Sequence, residues 1–145
     1  YEKMKLTEHF TLEELTRSDY ANEHGLSNTA SEYVEKNLMM LCALILEPLR
    51  IALNRAVIIN SGYRSKEVNA GVGGVPSSHH LLGLAADIHF HSETELKEML
   101  SVLKGNKHLD LALVERSKNA KWLHVQLPRP NVAPRHRISS VYVTN

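Results

Sequence analysis

The sequence predicts an α+β fold in which a small antiparallel sheet has helices packed on one side. Three observations lead there. Helical patterns crowd the first third of the chain, and strand patterns come mostly later. From Asp87 the residues alternate, with Asp87, His89 and His91 facing one way and Ile88 and Phe90 the other, as on a half-buried strand. Finally, Leu111–Glu115 and Trp122–Leu127 are apolar runs separated by Arg116–Lys121, a stretch short enough for a hairpin.

Composition bounds the answer without naming it. The 145 residues suit one domain, residues 1–145, with a real core. A 43% apolar and 23% charged chain is of the ordinary globular class. A net charge of +1 offers no field directed at nucleic acid. No apolar run approaches the roughly 20 residues of a membrane span, so membrane insertion is not expected. The single cysteine, Cys42, cannot form an internal disulfide and sits among Leu38, Met39, Leu41 and Ile45, where a small core residue is expected. The compartment is left undecided by that absence. The opening Tyr1–Lys5 does not read as a signal peptide, which leaves open one removed upstream.

Taken in order, Thr11-Leu12-Glu13-Glu14 fits a capping box with Phe10 as staple, opening a short helix from Leu12 to about Arg17. A loop through Gly25 follows. The cap signal in Asn28–Glu32 opens the longest helical pattern, with Val34, Leu38, Leu41, Ile45 and Leu49 on one face. Pro48 predicts a kink or break near Glu47. Ala56–Asn60 is short and β-branched, hence a buried strand. The glycine- and serine-rich stretch 61–78 reads as a long loop, and long loops in compact domains are often functional. Ala85–Phe90 is the next strand. Ser92-Glu93-Thr94-Glu95 is a second capping box for a helix that turns Leu96, Met99, Leu100 and Leu103 inward and has Gly105 just past its end. Ile138–Val143 closes the chain as an edge strand.

Nine histidines are many for this length. His80, Asp87 and His124 are all associated with strand patterns. A His₂-carboxylate set with an open position suits catalytic zinc, whereas structural zinc more often uses cysteines or four protein ligands. Zinc acidifies water to a pKa of roughly 7 and polarises a carbonyl, as amide hydrolysis requires. On pattern alone, a histidine hydrogen-bonded to a strand aspartate in the core is an equal alternative.

The motif Ser78-x-His80-x-x-Gly83-x-Ala85-x-Asp87, followed by Trp122-x-His124-Val125, resembles the signature of the zinc D-alanyl-D-alanine carboxypeptidase family. That family includes bacterial peptidoglycan peptidases, D-Ala-D-Ala dipeptidases and phage endolysins. Ser61–Ser65, Asn69, Val72-Gly73-Gly74 and the opening Phe10–Leu15 are also similar, so the resemblance covers most of the chain in order. It implies the DD-peptidase/hedgehog-like α+β fold, Zn²⁺ held by His80, Asp87 and His124, and substrate contacts from Arg64 and Ser78. It also implies a partner, the peptidoglycan stem peptide, and action at the bacterial cell wall. A guanidinium can grip a terminal carboxylate through paired hydrogen bonds. The plainer alternative for Arg64 is a surface ion pair. His79 is left as an exposed or supporting neighbour, His89 and His91 as strand histidines, and His9, His24, His108 and His136 as surface residues.

One departure matters. Several branches of the family carry an acid three residues before the last histidine as general base, and here that position is Lys121, which cannot accept a proton while charged. Glu115 is the nearest substitute if the hairpin pairs Val114-Glu115 with Trp122-Leu123, and Asp110 is a weaker candidate on the same strand. Two rival readings stand beside a monomeric zinc peptidase. One is a catalytically inactive peptidoglycan-binding or phage structural module of the same fold. The other is a zinc site that only stabilises the fold.

Overall fold

The computed structural model describes residues 4–143. A two-stranded antiparallel ribbon, β1 (Lys5–Thr7) and β2 (Phe10–Thr11), leads into α1 (Leu12–Thr16). The Thr11 capping box forms as expected, with Thr11 Oγ1 accepting from the Glu14 N–H and the Glu14 carboxylate accepting from the Thr11 N–H. The expected loop through Gly25 is instead largely a helix, α2 (Asp19–His24). Ser18 caps its start through the Ala21 N–H, and Gly25 stops it at φ 63°. Six residues are too few to show a periodicity.

Ser31 caps the long helical stretch, which runs as α3 (Glu32–Leu41), a π-helical turn (Cys42–Leu46) and α4 (Glu47–Leu53). Pro48 does not break it. The proline falls in the first turn of α4, directly after the widened π turn, where a missing N–H is best tolerated. Its i−4 carbonyl, Leu44, accepts from the Asn106 side chain at 2.8 Å. Cys42 is buried in this turn, and burial, with Glu47 nearby, pushes its thiol up to about 12, as an inert core residue requires.

Strand β3 is shorter and later than expected, Ile59–Ser61. The stretch 61–78 is not all loop: Ser65 caps a helix, α5 (Lys66–Gly71), through the Val68 N–H. A 3₁₀ turn (His79–Leu82) precedes β4 (Ala85–Ile88). Helix α6 (Glu93–Lys104) is capped by Ser92, but the Glu95 carboxylate reaches one residue further back than a capping box, to the His91 N–H at 2.8 Å. Strands β5 (Leu111–Arg116) and β6 (Lys121–Gln126) form the expected hairpin, and β7 (Arg137–Tyr142) is an edge strand.

The five strands run in the order β3-β4-β6-β5-β7, antiparallel except for β7, which lies parallel to β5. Because β5 lies between β6 and β7, the proline-bearing segment 127–136 passes the end of β5 to reach β7. One sheet face carries Ala86, Ile88, Ala112, Val114, Leu123 and Val125, all buried. They share a hydrophobic cluster with Leu38, Leu41, Ile45 and Leu49 of the long helix and Leu96, Met99 and Leu103 of α6. The opposite face is free to carry polar groups. Among the described residues, no helix is long and apolar enough to cross a membrane.

Glu95 ties three segments together. It accepts from Arg55 Nε at 2.9 Å beyond α4, and from the backbone and ring of His91 beyond β4. Burial alone would raise this carboxyl, but these donors outweigh it and hold it down at about 2. A carboxyl lowered on folding contributes stability above its unfolded value near 4.5 and loses it as pH falls towards 2. Glu95→Gln is therefore expected to cost about 1–2 kcal/mol at pH 7, measured by urea unfolding. The difference from wild type should shrink as pH drops from 4.5 to 2, and a pH-independent difference overturns the assignment.

Candidate metal centre

The face of the sheet turned away from the helices gathers the polar residues. Asp87 on β4 stands opposite His124 on β6, and Leu113 on β5 is the other cross-strand neighbour of His124. Because side chains alternate, Trp122 and Gln126 share the His124 face, while Leu123 and Val125 enter the core. His80 arrives from the 3₁₀ turn. Ser78 Oγ accepts its backbone N–H at 3.2 Å, and Gly83, at φ 76°, lets the chain turn into β4.

His80, Asp87 and His124 are thereby brought together, one ligand atom from each lying within 4.8 Å of the others. Asp87 Oδ1 is 3.3 Å from His80 Nε2 and 3.1 Å from His124 Nδ1. The hydrogen-bond network assigns both tautomers. His80 Nδ1 is 2.7 Å from the Gly62 carbonyl, which can only accept, so the Nδ1–H donates and Nε2 keeps its lone pair. That Nε2 is buried and has no hydrogen-bond partner among the described residues. His124 Nε2 is 2.7 Å from Gln126 Oε1 and donates to it, leaving Nδ1 as a second lone pair. Two imidazole lone pairs and a carboxylate oxygen facing each other at these distances repel unless a proton or a metal ion lies among them. The donor set, two nitrogens and one oxygen, is that of a catalytic zinc. These residues fit the metal.

Without a metal the charge around the set follows a different logic, because protonated imidazoles then donate to Asp87. Burial by itself would raise the Asp87 carboxyl, but the two imidazoles more than reverse it and hold it well below the usual carboxylate range. Burial disfavours charge on His124, yet Asp87, Gln126 and Glu115 outweigh it and raise its pKa. Burial also lowers Arg64, with Asp87 and Glu115 opposing. Arg64 is mostly buried, with Nη2 4.0 Å from Asp87 Oδ2 and Nε lacking a partner among the described residues. It is therefore no surface ion pair. His79 sits beside Gln126, and burial, together with Arg129, lowers it to about 4, so it is neutral at pH 7.

Glu115 lies across from Trp122 in the hairpin, its Oε1 4.0 Å from His124 Nδ1. Burial first, and then the charge of Asp87, raise its carboxyl above the ordinary glutamate value. Lys121 is elsewhere: its Nζ reaches Glu93 at 3.0 Å and lies over the Phe90 ring. Three residues is an odd spacing, so on a regular strand position 121 faces away from His124. Asp110, the weaker candidate, is occupied: both its oxygens accept from Arg135, and Oδ2 also accepts from Gln126 at 2.9 Å. Burial would raise Asp110, but those donors hold it at about 2. Gln126 had a sequence signal, since it follows His124 by two on the same face. Arg135 had none, being 25 residues from its partner.

Gly62, just past the end of β3, sets the His80 ring. Its carbonyl takes the imidazole N–H, and its Cα lies so close to α1 that a Cβ there would run into the Leu15 carbonyl, which already accepts from the Tyr63 N–H at 2.7 Å. Gly62→Ala is expected to cost about 1–3 kcal/mol by overpacking and to loosen the His80 ring. Urea unfolding and the His80 imidazole NMR signals read both effects, and an unchanged unfolding midpoint overturns the steric argument.

The comparison with known proteins agrees with this geometry. A family model described as Peptidase M15 matches residues 8–126, which contain every residue of the centre. No curated protein sequence gives a significant match. With well over half of its length matched, the chain belongs to the Peptidase M15 family of zinc-dependent metallopeptidases.

Proposed function

We propose that the protein hydrolyses peptide bonds of bacterial peptidoglycan stem peptides, as a monomer, with His80, Asp87 and His124 holding the zinc. The observation that carries the assignment is the buried, unpartnered Nε2 of His80 turned toward Asp87 and His124. When bound, zinc supplies Lewis acidity for attack on an amide carbonyl. The chain's own residues supply the rest. Arg64, buried and with donors to spare, grips a carboxylate of the stem peptide, ideally a free C-terminal one. Ser78 spends its oxygen lone pair on the His80 N–H and keeps its hydroxyl proton to donate to the peptide.

Glu115 manages the proton. Water adds its oxygen to the carbonyl carbon, the C–N bond breaks, and the proton lost by water reaches the leaving amine through Glu115. A carboxyl raised by burial and by a neighbouring negative charge is a stronger base than an ordinary glutamate, and it stands beside the metal ligands. Lys121, where several branches of the family carry an acid, pairs its side chain with Glu93 on the far side.

Mass spectrometry of purified stem peptides incubated with the protein, with and without a zinc chelator, tests the substrate. A chelator-sensitive product is expected, and its mass names the bond. Absence of any product with zinc bound sinks the peptidoglycan reading. Glu115→Gln is expected to lower kcat by about 10²–10⁴-fold while zinc content stays at the wild-type level. Unchanged turnover removes Glu115 from the mechanism.

A further inference from the structure

The family match ends at residue 126, yet the segment beyond it is tied to the metal centre from two sides. Arg129 Nη2 donates to the Ser77 carbonyl, immediately before the turn that carries His80. Arg135 clamps Asp110 through its backbone N–H at 3.0 Å, Nε at 3.1 Å and Nη2 at 3.0 Å. The His136 and Arg137 N–H groups bond Leu109 and Asp110 carbonyls, so the clamp is built into the start of β7.

The chemistry of the chain of contacts has a direction. Asp110, as a carboxylate, can only accept, so the Gln126 group 2.9 Å from its Oδ2 must be the amide NH₂. The same Gln126 nitrogen lies 3.4 Å from His79 Nε2. The Asp110 contact fixes the amide orientation, which turns Oε1 to His124 Nε2 at 2.7 Å. His124 must then carry its hydrogen on Nε2 and present Nδ1 to Asp87.

We propose that residues 128–143 are a positioning element for the metal centre, in which Arg135 orients Asp110, Asp110 orients Gln126, and Gln126 holds His124 with Nδ1 turned to the metal. The proposal rests on His124 being a zinc ligand, as read above. Partners of this kind around metal-bound histidines typically contribute about 10–100-fold in metal affinity.

The test uses the full chain and two readouts. Long-range ¹H–¹⁵N spectra of the metal-free protein, at a pH where the imidazole is neutral, report the His124 tautomer. Competition for Zn²⁺ alone against a chromophoric chelator reports affinity. Wild type is expected to hold the Nε2–H tautomer. Gln126→Met keeps the bulk but removes the acceptor, and is expected to mix the tautomers and weaken Zn²⁺ binding about 10–100-fold. Arg135→Met should move both readouts the same way by a smaller amount, with partial recovery in Arg135→Lys. Wild-type tautomer and affinity in both methionine variants overturn the proposal. If Arg135→Met loses its native circular dichroism, Gln126→Met alone decides. If wild type fails to bind Zn²⁺ at all, the ligand assignment falls, while the tautomer spectra still decide whether the relay exists.

Discussion

The antiparallel register of β4 against β6, with Asp87 opposite His124, is the constraint on which the site depends. It is enforced from the other side of the sheet. Ala86, Ile88, Leu123 and Val125 are fully buried against the helices, and a slip of one residue would turn all of them to solvent and the charged groups into the core. The apolar face thus locks the polar face. The candidate metal centre needs no helix or loop of its own to hold Asp87 and His124, because core packing already holds them.

The third residue of the centre is positioned by backbone rather than by packing alone. His80 sits on one turn of 3₁₀ helix between a serine cap and a left-handed glycine, and its ring is aimed by the carbonyl of Gly62. Asn28 braces the same region, bonding the Thr16 and Tyr63 carbonyls and the Ser65 N–H. Such a site stores electrostatic tension. Lone pairs converge in a buried place that a proton or a metal ion relieves, so metal affinity and pre-organisation are two aspects of one arrangement. Arg64 and Glu115 stand at its edge with opposite charges.

The same economy governs the helical layer. The π turn at Cys42–Leu46 absorbs Pro48 and leaves a carbonyl that Asn106 satisfies from beyond α6, so a residue that should end a helix instead docks two helical segments on each other. Glu47, next to it, takes hydrogen bonds from Thr7 and His9 and fastens the β1–β2 ribbon to the long helix. His9, expected only on the surface, is thereby also an anchor.

The sequence by itself determined the helix cores, the caps at Thr11, Ser31 and Ser92, the β5–β6 hairpin and the three residues of the candidate metal centre. Those features are written in local spacing: periods of two and 3.6, a cap three residues ahead of the N–H it accepts, and a motif whose phase selects His80 over His79. Short elements such as α2 and α5 were illegible because one and a half turns leave no period to read. Tertiary structure alone decided that β7 runs parallel beside β5, that Lys121 faces Glu93 rather than the centre, that Asp110 is spent on Arg135, and that Gln126 sets the His124 tautomer. Each of these depends on which groups meet across long separations in the chain. Hydrogen-bond direction and sheet order are properties of those meetings, and no single stretch of residues contains them.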